Sequence, residues 1–179
     1  MSLTPEGLQL IRRWEGCRLE AYPDPASGAD PWTIGYGHTG ADVRPGLRIS
    51  QAQAEAWLLA DIAISEAAVD RLLNGVTLSP RQRDGLVSFC FNVGAGALEG
   101  STLRRRLLAG EPAAQVIAEE LPRWCKGPTG PIVGLQRRRA AEIAHATEAD
   151  AAASASPAPA PASQPAAPGL IDQAQALLD

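Results

Sequence analysis

Two carboxylates, Glu15 and Asp24, stand nine positions apart near the start of the chain. Most Asp and Glu side chains are solvated surface charges. The position of Glu15 is less ordinary, because it closes an apolar helical face formed by Leu8, Ile11 and Trp14. A carboxyl group at a helix C-terminus meets the negative end of the macrodipole. Partly buried there, it is favoured in its protonated form and can give a proton to a leaving group. Asp24 falls among turn residues, Tyr22-Pro23-Asp24-Pro25, where a carboxylate stays ionised. Two carboxyl groups in unlike surroundings suit acid/base hydrolysis of a glycosidic bond. Many sequences hold such a pair, so the elements around it carry the weight.

The helix bearing Glu15 is strongly signalled. Thr4 suits the N-cap and Pro5 the first helical position, Leu3 and Leu8 form a hydrophobic staple, and Gly16 offers a stop. Residues 17–49 alternate short β-prone runs with Gly, Pro and Asp, which predicts a small antiparallel sheet. Ser50 and Gln53 have capping-box spacing before a helical run to about Leu73. Such a helix spans roughly 35 Å, enough to connect two lobes. Further helix starts fall at Ser79-Pro80 and Ser101, with a turn at Glu111-Pro112. A last helix begins near Ile132 to Leu135 and runs to about Ala146. The fold class expected is α+β, mainly helical, with a small N-terminal sheet lobe and a larger C-terminal helical lobe.

The chain has 179 residues and a formal net charge of -4. The charge is unevenly placed. Residues 1–75 carry 6 basic and 10 acidic side chains, residues 76–147 carry 10 and 6, and the excess acid lies beyond residue 147. A neutral domain with an acidic tail disfavours a nucleic-acid binder. No apolar run is long enough for a membrane span, and the N-terminus lacks the pattern of a secretory signal. Residues 151–168 contain only Ala, Ser, Pro and Gln, so the expected division is a domain over 1–147 and an appendage over 148–179. The short apolar stretch 170–178 reads as a docking peptide or an end without a role. Cys17, Cys90 and Cys125 form no CxxC pair, which argues against a zinc site. Buried inert thiols are the favoured reading, with one disulfide plus a free thiol as the alternative.

Residues 15–24, Glu-Gly-Cys-Arg-Leu-Glu-Ala-Tyr-Pro-Asp, followed by Trp32-Thr33-Ile34-Gly35-Tyr36-Gly37-His38-Thr39, resemble the phage-type lysozymes, glycoside hydrolase family 24. Glu15 and Asp24 have the family's spacing. Thr33 does not: eight residues separate it from Asp24, which reads as a turn over 25–31 lengthened by three residues. The likeness continues through residues 84–94, Ser101-Thr102-Leu103, Arg123-Trp124, Gly134-Leu135, Arg138-Arg139 and Glu142. It covers about residues 3–146.

The resemblance implies peptidoglycan as substrate and cleavage of the β-1,4 bond from N-acetylmuramic acid to N-acetylglucosamine. It implies Glu15 as general acid, Asp24 and Thr33 as the groups that position and activate water, and no metal or organic cofactor. T-even relatives invert the anomeric centre, which needs carboxyl groups about 6.5–9.5 Å apart. It also implies Asp61 as partner of His38, and Arg138 near Glu15. A phage endolysin of this kind is expected to be monomeric, to accumulate in the host cytoplasm, to need a holin for release, and to act at the periplasmic wall without stable membrane insertion.

Other residues keep two readings. His38 can be an acid/base group, but a structural tie between sheet and long helix is preferred. Trp32 and Tyr36 line the cleft or pack in the core. Asn92 is the better glycan contact, because an amide can read an N-acetyl group. Residues 104–106 and 137–139, all Arg, are solvated helix faces or attract the anionic wall. His145 is expected at the surface or a helix end. Rival functions are a non-catalytic wall-binding module and a virion-associated lysozyme docked through its tail.

Overall fold

In a computed structural model, residues 2–23, 30–127 and 130–148 are described. Asp24, the turn over 25–29 and the tail beyond Glu148 lie outside the described residues.

Helix α1 spans Pro5–Glu15. The Thr4 hydroxyl caps it by accepting from the Gly7 amide, with Pro5 in the first turn. Leu3 and Leu8 both pack on the main core, as the staple predicts. Gly16 ends the helix at φ +65°, a conformation that a β-carbon penalises, and the chain turns straight into β1, Arg18–Tyr22. β1 pairs antiparallel with β2, Thr33–Gly35, which pairs antiparallel with β3, His38–Thr39. The sheet has its own small core of Ala21, Ile34 and Val43, covered by Trp32, Leu47, Ile49 and Trp57.

The long helix α2 covers Gln51–Leu72, about 33 Å. It belongs to both lobes. Trp57 covers the sheet core, while Leu58, Ile62, Val69 and Leu72 enter the helical core. Ser50 caps it by accepting from the Gln53 amide at 3.2 Å. The complete capping box forms instead at the next helix, where Ser79 and Gln82 bond each other's backbone reciprocally.

That helix, α3 (Pro80–Val93), is the centre of the larger lobe and is buried from Arg83 to Cys90. Around it lie α4 (Ala95–Gly100), α5 (Thr102–Leu108), α6 (Ala113–Glu120) and α7 (Val133–Thr147). Helix α4 is not signalled in the sequence: two of its six residues are Gly, and Gly94 caps it without a side-chain bond. A short 3₁₀ turn, Leu121–Arg123, follows α6 directly. Strands β4 (Lys126–Gly127) and β5 (Gly130–Pro131) pair antiparallel in the loop before α7. No helix among the described residues is long and apolar enough to cross a membrane.

Two expectations about polar residues need correction. Arg138 and Arg139 are fully buried rather than solvated, because they pack against α3 and pair with Glu15 of α1 and Glu142 of α7; Arg137 alone of that run is exposed. In the other run, Arg104 donates to the Leu72 carbonyl at the end of α2, and Arg106 binds Glu111, Glu119 and Glu120. Cys90 and Cys125 are buried, but Cys17 is exposed in the turn after α1, and all three are free thiols.

Candidate active site

Glu15 sits at the junction of the two lobes. It is the last residue of α1, and its side chain is 17% exposed. From the helical lobe, Arg138 Nη1 donates to Glu15 Oε1 over 2.6 Å. From the sheet lobe, Gly37 approaches the other oxygen: a β-carbon there would stand 3.7 Å from Oε2. The carboxyl group is thus held between a buried cation and the turn joining β2 to β3.

Arg138 is itself fixed on every side. Its Nε donates to Glu142 Oε1 at 3.1 Å and its Nη2 to the Ser88 carbonyl at 3.2 Å. The Ser88 hydroxyl donates to the same Glu142 oxygen at 2.7 Å. Arg139, the next residue, has its Nε 3.2 Å from Glu142 Oε2, lies 5.0 Å over the Phe89 ring, and donates from Nη2 to Asn92 Oδ1 at 2.5 Å. Burial pushes the Glu142 carboxyl above the usual carboxylate range, against the pull of Arg139 and Arg138. Burial likewise brings the Arg139 guanidinium down to about 10, although Glu142 favours its charge. The sequence reading missed Arg139 as a site neighbour and gave Glu142 no role. Their signal was spacing: Glu142 follows Arg138 and Arg139 by four and three residues, the interval of helix ion pairs.

Thr33 opens β2, pairs with Tyr22 and Thr39, and is buried. It therefore lies at the centre of the sheet that flanks Glu15. Asp24 lies outside the described residues. His38 Nδ1 is 2.8 Å from Asp61 Oδ2, its Nε2 is 3.4 Å from Asp42, and its ring stacks on Trp57 at 4.5 Å. These contacts tie β3 to α2. Trp32 packs on the sheet core. Tyr36 packs on the helical core, and its hydroxyl accepts from Gln51 at 2.9 Å. Asn92 is the penultimate residue of α3, half-buried beside Arg139. His145 is not a free surface group: its ring lies 3.1 Å from the buried Asp84. No group of three or more His, Cys, Asp or Glu among the described residues could hold a metal ion.

A fold of this kind recurs in solved muramidase and endolysin structures. The muramidase domain of SpmX from Asticaccaulis excentricus superposes with a TM-score of 0.71 at 34% identity, covering 82% of this chain and 97% of that one. The endolysin from Escherichia coli O157:H7 phage FAHEc1 gives 0.71 and 34%, covering 83% and 94%. The family model described as phage lysozyme matches residues 12–142, and the chain belongs to that family. The endolysin of Bacillus phage PZA is 40% identical over 80% of this chain, and that of Acyrthosiphon pisum secondary endosymbiont phage 1 is 39% identical over 80%. The chain spans about half the length of the Bacillus phage relatives, 54% for PZA, but 97% of the endosymbiont phage endolysin.

Proposed function

We propose that the protein is a peptidoglycan hydrolase, an N-acetylmuramidase that cuts the β-1,4 bond between N-acetylmuramic acid and N-acetylglucosamine. The observation that carries this reading is the setting of Glu15 between Arg138 and the β2–β3 turn, in a chain of the phage lysozyme family. Arg138 engages Oε1, so Oε2 is the oxygen that carries the proton. Glu15 donates that proton to the glycosidic oxygen as the bond to the anomeric carbon breaks. A water attacks that carbon, Asp24 accepts the proton it sheds, and Thr33 orients it. Asn92 contacts the glycan, and Trp32 and Tyr36 shape the cleft from the sheet side. No cofactor enters this chemistry.

The catalytic unit occupies residues 1–147, and 148–179 is an appendage. The likeness to phage endolysins supports a monomer that reaches the wall of its bacterial host after a holin opens the membrane, and that acts in the periplasm.

The test is clearing of outer-membrane-permeabilised cells by wild type and Glu15→Gln. Removing the proton donor should lower the rate by at least 100-fold, at the lower end of general-acid effects of about 10²–10⁴. Equal clearing by both proteins overturns the assignment. Reducing ends on the released muropeptides, rather than anhydro-muramic ends, identify hydrolysis as opposed to lytic transglycosylation.

A further inference from the structure

Arg139 stands out among the buried charges because packing alone gives no reason for it. It is 1% exposed, yet its Nη1 makes no hydrogen bond and its Nε meets Glu142 only off-angle. A buried guanidinium so incompletely satisfied is costly, and an apolar chain of similar length would fill the same space without that cost. Among the described residues its hydrogen bond runs to Asn92 Oδ1.

That bond has a directional consequence. A guanidinium has donors only, so its partner must be the amide oxygen of Asn92. The opposite amide orientation would set donor against donor. Oδ1 is committed to Arg139, and Asn92 Nδ2 donates no side-chain hydrogen bond among the described residues. Asn92 holds these N–H groups in a half-buried position one residue before the end of α3. Arg139 cannot swing away, because Glu142 holds its Nε side and the Phe89 ring lies under its plane, braced edge-on by Trp124 at 5.3 Å.

We propose that Arg139 is a positioning residue for substrate binding, setting the Asn92 amide so that an N–H of its Nδ2 donates to a carbonyl oxygen of the glycan, as in an N-acetyl group. Glu142 then organises both halves of the site: through Arg138 it places the Glu15 carboxyl, and through Arg139 the Asn92 amide. This assignment rests on the hydrolase reading of the cleft.

The experiment measures kcat and KM on soluble, uncrosslinked peptidoglycan chains for wild type, Arg139→Met, Asn92→Ala, the double variant and Asn92→Asp. Arg139→Met should raise KM by about 3- to 10-fold, the range of one lost neutral hydrogen bond, with kcat changed less than 2-fold. Asn92→Ala should do the same, and the double variant should be no worse than either single one, since both remove the same interaction. Asn92→Asp keeps an acceptor for Arg139 but has no N–H to offer, so it should raise KM while leaving thermal stability intact. An unchanged KM in folded Arg139→Met, or multiplying effects in the double variant, overturns the proposal while the hydrolase reading stands. Should Arg139→Met not fold, Asn92→Asp decides alone, an unchanged KM again overturning the proposal. Wild-type protein inert on this substrate overturns the hydrolase reading, and the proposal with it.

Discussion

His38 and Asp61 join β3 to the middle of α2 through a 2.8 Å contact from Nδ1 to Oδ2. The imidazole is also stacked on Trp57, so one side chain fastens the sheet lobe to the helix that runs through both cores. His38→Ala should lower stability by about 1–3 kcal/mol, from the lost bond and the lost stacking. Lytic activity well below the midpoint of unfolding should persist within about tenfold of wild type, as expected for a structural group and unlike the loss in Glu15→Gln. Urea denaturation beside turbidity assays makes the comparison, and loss as deep as Glu15→Gln would instead make His38 a catalytic residue.

Arg138→Met should destabilise the protein by about 3–5 kcal/mol, the cost of stranding a buried carboxylate, because Glu142 loses its hydrogen-bonded cation. Activity should fall as well, since Glu15 loses its anchor. A companion triple variant, Arg138→Met with Arg139→Met and Glu142→Leu, removes the three buried charges together and should recover part of the stability but none of the activity, which chemical denaturation and clearing rates read separately.

Gly7→Ala tests helix propensity against close packing. In an exposed helix the substitution gains about 1 kcal/mol. Here the new β-carbon would fall 2.5 Å from Asp84 Cγ, and Asp84 is the buried carboxylate that binds Thr4 and His145. The expected result is a loss of about 1–3 kcal/mol, seen as a lowered Tm.

Asp70 gives a pH signature. Its side-chain hydrogen bond to Arg83 holds the carboxyl below the usual carboxylate value. A lowered folded-state pKa adds stability above the unfolded value and loses it as pH falls through the folded one. Asp70→Asn should therefore cost about 0.5–1 kcal/mol at neutral pH, modest because the carboxylate is half exposed. The difference should shrink below pH 3.8 and vanish in stronger acid, as thermal melts across that range will show.

Removing residues 148–179 should leave folding and wall hydrolysis largely intact. Helix α7 ends at Thr147, and the described contacts beyond it are both made by Glu148, whose backbone N–H donates to the Ala144 carbonyl and whose side chain forms an exposed pair with Arg81. Loss of most activity on purified wall would show that the tail is part of the catalytic unit.

Local signals carried far into the three-dimensional arrangement. The cap at Thr4, the staple of Leu3 and Leu8, the stop at Gly16 and the bounds of α2 all rest on interactions within a few residues, which a sequence displays directly. The thiols and the arginine runs were harder. Whether Cys17 or Arg138 is exposed depends on elements far away in the chain, and Arg is apolar along its stem and charged at its tip, so composition does not decide its burial. Helix α4 was hidden because its glycines contradict helix propensity, and it forms by packing Leu98 into the core. Trp32 and Tyr36 read equally as cleft or core in the sequence, because the choice depends on residues far along the chain; each is partly buried and packs against a core.

The tie between Glu15 and Arg138 spans 123 positions. A chain emerging from the ribosome therefore completes α1 long before the partner of its terminal carboxyl exists. Residues 138 and 139 lie together in α7, so the acid and the amide receive their final settings together, once that helix has been made. Nascent or prematurely ended chains hold Glu15 without its anchor, so the arrangement of the candidate site arrives only once both ends of that tie have been made.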